Sequence, residues 1–264
     1  MPLLLQISDC HLVAQGKTLL NVDTQASLQA VLDQALSEQQ PDAVVASGDI
    51  AHDAQPEVYA RFLQTVRAVY PGPLLCLPGN HDVHQAMSSA ALPMQPLTLA
   101  PWSIVPLDSH QDNQPEALIS EMEIERVGEV LRQSAQTHVL LATHHPLVLI
   151  GAPWLDKDRI RDSEQLLDGL SQASGDRLRG VIFGHAHQEI AARCAQLPMY
   201  GAPSTCFQFA PHSQTFAVDQ RSPGYRWLHL DEHGIIKTEV RRVNSFPINA
   251  RIDKLKKPPP ADTH

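Results

Sequence analysis

Five short segments of the chain contain aspartate, asparagine and histidine, the residue types that bind hard or borderline metal ions. Each segment follows an apolar run that is typical of a buried β-strand. The seven candidate metal ligands are Asp9, His11, Asp49, Asn80, His144, His185 and His187. Because the set contains oxygen and imidazole donors but no thiolate, it favours Fe, Mn or Zn over copper or a structural zinc site.

Asp49 is the central member of this set, since it follows an apolar strand at residues 44–47 and a glycine. A carboxylate has two oxygens and can bind two cations at once. Seven donors with one shared carboxylate exceed what one ion takes, so the sequence predicts two ions. Two ions about 3.5–4 Å apart can clamp the attacking and leaving oxygens of a phosphoryl displacement.

The spacing of the other candidates indicates which of them point together. Residues two apart on an extended chain share a face, so Asp9 and His11 are expected to converge, as are His185 and His187. His144 is followed directly by His145, and adjacent residues point to opposite sides. We expect His144 to bind metal and His145 to pack or hydrogen-bond behind it.

The elements that must position these residues can be predicted from hydrophobic periodicity. The first 50 residues indicate a strand, a helix over 24–38 and a second strand, which is the parallel βαβ unit. Further helices are predicted over 57–69, 116–134 and 163–172, and further strands over 74–77, 102–109, 138–143 and 179–183. Short alternating segments after residue 188 predict an antiparallel sheet.

Composition narrows the functional class. The chain has 264 residues, 43% hydrophobic and 19% charged, which is typical of a globular protein. A net charge of −9 disfavours a nucleic-acid polymer or a membrane as the partner. The four cysteines show no CxxC spacing and indicate reduced thiols in a cytoplasmic protein. The apolar N-terminus lacks a basic region and is interpreted as a strand, not a signal peptide.

The ordered blocks resemble the calcineurin-like metallophosphoesterases. The blocks are Asp9-x-His11, Gly48-Asp49, Gly79-Asn80-His81-Asp82, His144-His145-Pro146 and Gly184-His185-x-His187. Three further segments resemble the bacterial class III 3′,5′-cyclic-AMP phosphodiesterases: residues 5–9, 154–156 and 203–209.

This resemblance implies an α/β fold, a four-layer α/β/β/α sandwich with two central mixed sheets. We expect a single domain over 1–250 and a basic, proline-rich tail over 251–264, mobile unless a partner subunit of a homodimer holds it. The family implies two divalent ions, Fe(II) or Mn(II) or both. One would take Asp9, His11, Asp49 and His187, and the other Asp49, Asn80, His144 and His185.

The family also implies the reaction, which is hydrolysis of 3′,5′-cyclic AMP to AMP by a metal-bound hydroxide. The catalytic residues would be His81, which protonates the departing ribose oxygen, and Asp82, which orients His81. The expected substrate-binding residues are His11, Asp49, Asn80, His81, His187, Trp154, Phe207 and His212.

Four alternatives stay open from the sequence. A broad-specificity phosphodiesterase, a 2′,3′-cyclic nucleotide hydrolase or a phosphomonoesterase would use the same site, because the site chemistry contacts phosphorus and not the base. A non-catalytic scaffold of the same fold is the alternative of another class. His52 is interpreted as a hydrogen-bonding residue at the rim and not as a ligand.

Overall fold

The computed structural model describes residues 1–112, 114–246, 248 and 250. The predicted tail over 251–264 lies outside the described residues. The strands are β1 (Leu3–Ile7), β2 (Ala43–Ser47), β3 (Leu74–Leu77), β4 (Leu97–Leu99), β5 (Trp102–Pro106), β6 (His138–Ala142), β7 (Leu178–Phe183), β8 (Ile190–Cys194), β9 (Leu197–Gly201), β10 (Gln208–Phe209), β11 (Val218–Asp219), β12 (Gly224–Leu230) and β13 (Ile236–Arg242). The helices are α1 (Thr24–Glu38), α2 (Pro56–Val69), α3 (His84–Ser89), α4 (Glu121–Gln133), α5 (Pro153–Asp156) and α6 (Ser163–Ala173).

Two mixed sheets form the centre of the molecule. The first has the strand order β13-β12-β1-β2-β3, in which β1, β2 and β3 run parallel. The second has the order β4-β5-β6-β7-β9-β8, in which β5, β6 and β7 run parallel. β10 and β11 form a separate two-stranded ribbon.

Alternating side chains bury both faces of each sheet. On β1, Leu4 packs between the two sheets, whereas Leu5 packs under the helices that cover the first sheet. Phe62 of α2 belongs to the same outer layer as Leu5, and Val127 of α4 covers the outer face of the second sheet. The order of layers is helices, sheet, sheet, helices, which confirms the predicted sandwich.

Two predictions from the sequence need correction. Helix α4 begins at Glu121 and not at residue 116, because the Ser120 hydroxyl accepts a hydrogen bond from the Glu123 amide and caps the helix. The strands after residue 188 pair antiparallel with a neighbour as predicted, but they do not form one sheet. β8 and β9 extend the second sheet, and β12 and β13 extend the first.

The topology places the candidate ligands at one edge. The loops that carry them follow β1, β2, β3, β6 and β7, which are parallel strands of the two sheets. The carboxyl ends of parallel strands are where open α/β sheets bind ligands. The helices of the described part of the chain are too short or too polar to cross a bilayer.

Candidate metal centre

One group of four side chains comes from the loops after β1, β2 and β7. His11 Nε2 lies 3.4 Å from Asp49 Oδ2 and 3.0 Å from His187 Nε2. His187 Nε2 lies 3.4 Å from Asp9 Oδ1. All four residues are buried. These are the four residues that the family resemblance assigned to the first ion.

A second group lies on the other side of Asp49. His144 Nε2 is 3.6 Å from Asp49 Oδ1 and 3.2 Å from Asn80 Oδ1. Asn80 Oδ1 is 3.0 Å from His185 Nδ1. Asp49 therefore directs one carboxylate oxygen toward each group, and the structure brings all seven candidate ligands together.

The distances between these atoms fit a pair of cations. A ligand atom about 2.0–2.2 Å from an ion lies about 3.0–3.5 Å from the neighbouring ligand atom. The measured separations of 3.0–3.6 Å match this spacing. Asp9 Oδ2 and His185 Nε2 are buried without a hydrogen-bond partner among the described residues. A cation would offset the cost of burying the Asp9 carboxylate.

Two of the histidine rings, those of His11 and His185, are in the neutral state that ligation requires. Burial holds the pKa of His11 and of His185 well below the ordinary value, so both rings are neutral at pH 7. The Nδ1 atoms of His144 and His187 lie 2.9 and 2.7 Å from backbone carbonyls of Ser47 and Phe207. A carbonyl only accepts, so each Nδ1 donates and Nε2 is the ring atom left to bind a cation. Burial lowers the pKa of His144, but the Asp49 carboxylate outweighs that effect and raises it, so a cation would displace a proton from this ring.

Asp49 stays ionised despite its burial. Burial alone would raise the pKa of the Asp49 carboxyl, but His144, His81 and His11 outweigh that effect and hold the pKa well below its usual range. The His81 backbone amide adds a hydrogen bond of 2.9 Å to Asp49 Oδ1. A charged carboxylate is the form that can bridge two cations.

The backbone of the ligand loops adopts a conformation that non-glycine residues seldom take. Asp9, His11, Asp49, His185 and His187 have φ angles between 44° and 62°. Such residues cost about 1–3 kcal/mol each and cluster at functional sites. The side chains also need close backbone approach: a Cβ at Gly48 would overlap the His144 ring, and one at Gly79 would overlap Asp49.

His81 lies at the exposed rim of the first group. Its ring is stacked on His52 with centroids 4.9 Å apart and meets the edge of His11 at 4.9 Å. The residue is exposed to solvent. His81 is thus fixed beside the metal centre through its backbone amide while its ring stays accessible to a substrate. The contact with His52 agrees with a rim position for that residue.

Asp82 does not contact the His81 ring, its expected partner, but hydrogen-bonds other groups. Its carboxylate accepts hydrogen bonds from the amides of Ile50, Ala51 and Gly79 and from the Tyr59 hydroxyl, at 2.8–3.1 Å. The His81 ring is not among these donors, which corrects the expectation that Asp82 orients that ring directly. Burial and the charge of Asp49 raise the pKa of Asp82 to about 6. Asp82 instead ties the loop after β3 to the loop after β2.

The three candidate base-binding residues lie in different surroundings. Phe207 is 4% exposed and contacts His11 and His187 at ring distances of 5.7 and 5.0 Å, so it supports the ligand rings and offers little surface to a base. Trp154 packs against Phe209, which stacks on His187 at 4.0 Å. His212 is exposed, and its ring lies next to Gly151, which belongs to the loop that precedes α5.

Three residues near the centre were not assigned a role from the sequence. Asp158 is buried, its Oδ2 lies 3.8 Å from His185 Nε2, and burial raises the pKa of its carboxyl to about 6. Tyr59 contacts Asp82. Ser109 contacts His145 Nδ1 at 2.8 Å, while His145 Nε2 contacts the Pro115 carbonyl at 3.1 Å. Both His145 nitrogens are therefore engaged, which agrees with the choice of His144 as the ligand.

Comparison with known proteins agrees with this geometry. Residues 2–189 match the calcineurin-like phosphoesterase family. The chain is 34% identical over 257 residues to the 3′,5′-cyclic adenosine monophosphate phosphodiesterase CpdA of Pseudomonas aeruginosa, covering 95% of this chain and 93% of that protein. It is 36% identical over 251 residues to the protein of the same name from Escherichia coli strain K12, covering 91% and 89%.

A solved structure gives the same result for the fold. TT1561 of Thermus thermophilus has a TM-score of 0.62 at 12% identity, over 92% of this chain and 99% of that one. The family match runs from β1 to residue 189, beyond the end of β7, and so spans all five loops that carry candidate ligands. The chain belongs to the calcineurin-like phosphoesterase family.

Proposed function

We propose that the chain is a phosphodiesterase that hydrolyses 3′,5′-cyclic AMP to AMP with two divalent cations, Fe(II) or Mn(II) or both, at the metal centre. The observation that carries the proposal is the position of Asp49, whose two carboxylate oxygens face two separate groups of donors. The choice of substrate rests on the similarity to the two phosphodiesterases, which extends over more than nine-tenths of the chain.

Each group of donors would hold one ion. The first ion would take Asp9, His11, Asp49 and His187, and the second would take Asp49, Asn80, His144 and His185. When bound, two such cations would generate a nucleophile from water at neutral pH and neutralise charge on the phosphoryl oxygens. The remaining steps fall to side chains of the protein.

His81 is proposed to act as the general acid. Its ring is exposed beside the first group, and its backbone amide is fixed on Asp49. Cleavage of the ring phosphodiester leaves a ribose alkoxide, which is a poor leaving group. A proton from His81 to that oxygen would contribute about 10²–10⁴ in rate.

Asn80 is proposed to bind a cation through Oδ1 and to donate a hydrogen bond to the substrate through its amide nitrogen. Its Oδ1 faces His144 and His185, so the amide nitrogen on the same side chain is left to donate to a phosphoryl oxygen. Donors aimed at developing charge stabilise the transition state more than the ground state. Asn80 would therefore contribute mainly to kcat.

We also propose that residues 1–250 act as one domain in the cytoplasm. The four cysteines are unpaired and three of them are buried, which fits a reducing compartment. The ligands come from both sheets, so neither sheet alone could form the centre.

A substrate comparison tests the proposal. The purified protein is loaded with Mn²⁺ or Fe²⁺, and kcat/KM is measured for 3′,5′-cyclic AMP, 3′,5′-cyclic GMP, 2′,3′-cyclic AMP, bis(p-nitrophenyl) phosphate and p-nitrophenyl phosphate. We expect 3′,5′-cyclic AMP to be among the best substrates. A clear preference for 2′,3′-cyclic AMP or for the monoester would contradict the proposed substrate. Turnover of none of them after loading would support a scaffold.

A further inference from the structure

A second group of side chains that could hold a metal ion shares no residue with the candidate metal centre. It joins His84, the first residue of α3, to Asp108 and His110 in the loop after β5. One ligand atom of each residue lies within 4.8 Å of the other two. His84 Nε2 and Asp108 Oδ2 are 2.7 Å apart. The proposed hydrolysis uses none of these three residues.

The hydrogen bonding of His110 leaves one ring nitrogen available for a cation. His110 Nε2 lies 2.9 Å from the Asp82 carbonyl oxygen, which only accepts, so Nε2 carries the proton. Nδ1 then holds the lone pair, and it is buried without a hydrogen-bond partner among the described residues. The His110 side chain has no exposed surface. One ring nitrogen on a carbonyl and the other free is the arrangement of a metal-ligating histidine.

An ion could reach this group from solvent. The His84 side chain is 44% exposed and that of Asp108 is 27% exposed. Both residues, together with His110, line a surface cavity of 390 Å³. The cavity also contains Arg126, but Glu123 pairs with that guanidinium at 2.7 Å and compensates its charge. Asp108 is the carboxylate nearest to the imidazoles, and a cation here would replace the proton that its Oδ2 shares with His84 Nε2.

We propose that His84, Asp108 and His110 form a mononuclear Zn²⁺ site separate from the two-ion centre. Two imidazoles and one carboxylate are a donor set that Zn²⁺ accepts with a fourth position left to solvent. Asp112 Oδ1, 3.3 Å from His110 Nε2, adds negative charge beside the site. Because His110 donates to the Asp82 carbonyl, an ion here would also restrain the segment that carries Asn80 and His81.

Counting bound zinc tests the site directly. Wild type, His84→Gln and His233→Gln are dialysed against the same free Zn²⁺ concentration, and zinc per chain is measured by mass spectrometry. His233 is a matched control, because it is an exposed histidine 3.8 Å from the Glu232 carboxylate. We expect His84→Gln to bind one zinc fewer per chain, because it loses a direct ligand to that ion, and His233→Gln to match wild type.

The readout does not depend on the proposed function. The measured quantity is the difference in zinc per chain between wild type and His84→Gln, and this difference is one ion whatever number of ions the metal centre binds. Equal zinc in all three proteins would overturn the proposal.

A second variant and a second measurement guard against misfolding. Asp108→Asn keeps an oxygen for the hydrogen bond from the His110 amide, now 2.9 Å, and removes the charge, so it should lose the same single ion. Crystals of the wild type soaked in Zn²⁺ should show anomalous density between His84, Asp108 and His110. Zinc at the metal centre with no density at this position would overturn the proposal even if both variants failed to fold.

Discussion

The metal centre and the aromatic region beside it use their side chains in opposite ways. At the centre, each candidate ligand lies just after a parallel strand and is largely withdrawn from solvent, and backbone carbonyls or amides orient Asp9, Asp49, His144 and His187. In the aromatic region, Trp154, Phe209 and Phe216 pack mainly against one another, and Phe216 is 41% exposed. Strand topology brings the candidate metal ligands together, whereas loops form the surface that would contact the base of the proposed substrate.

The largest loss of metal and activity is expected from substitution of Asp49, the residue shared by both groups of candidate ligands. Asp49→Ala should remove both ions, because it takes one ligand from each. Turnover of cyclic AMP should fall by more than about 10⁴-fold, since the ions would supply several kcal/mol of transition-state stabilisation. Metal analysis and steady-state kinetics measure the two losses. Asp33→Ala, at an exposed position of α1, is the matched control and should retain full metal content and activity.

Substitution of His81 tests whether this exposed residue takes part in catalysis without binding metal. His81→Ala should keep both ions and lower kcat by about 10²–10⁴-fold, with a small change in KM. His52→Ala removes the ring stacked on His81 and should cost far less. Loss of metal from His81→Ala, or equal effects of the two variants on kcat, would contradict the general-acid role.

Asp82 tests how the two loops are held together. Asp82→Ala leaves three buried amides and the Tyr59 hydroxyl without their acceptor, so the free energy of unfolding should fall by at least about 3 kcal/mol. Tyr59→Phe removes one of these hydrogen bonds and should cost about 1 kcal/mol. Urea denaturation of the metal-free proteins measures both. Equal stabilities of Asp82→Ala and wild type would show that the loops do not depend on this carboxylate.

The smallest effects are expected in the aromatic region. Trp154→Ala and His212→Ala should raise KM for cyclic AMP by about tenfold or less and leave kcat nearly unchanged, as expected for interactions equally strong in ground and transition states. Neither change should affect hydrolysis of bis(p-nitrophenyl) phosphate, which has no base. A drop in kcat for both substrates would show instead that these residues support the metal centre.

The contrast between the metal centre and the aromatic region also explains how much could be predicted from the sequence. Apolar runs ending in ligand residues indicated which strands are buried and which side chains meet at their ends, and the convergence of the seven residues followed from that pattern. The four layers followed from the family resemblance that those residues carry. Periodicity did not give the pairing of strands that are distant in sequence. It predicts antiparallel strands after residue 188, but it does not show that β12 pairs with β1 at the other end of the chain.

The supporting contacts could not be predicted from the sequence for a different physical reason. Asp158 lies in a loop with several other charges, and only the fold shows that it is buried 3.8 Å from His185. Asp82 follows His81 in the chain, which suggested a direct contact, but its carboxylate is directed to the loop after β2. Left-handed backbone at Asp49 and His187 likewise has no signature in residue type, since such conformations persist only where tertiary packing imposes them.

Anomalous diffraction at the manganese edge from Mn²⁺-loaded crystals tests the central claim most directly. We expect two peaks about 3.5–4 Å apart, one beside each carboxylate oxygen of Asp49. A single peak at that carboxylate, or two peaks that do not share Asp49 as a ligand, would contradict a two-ion mechanism at this site.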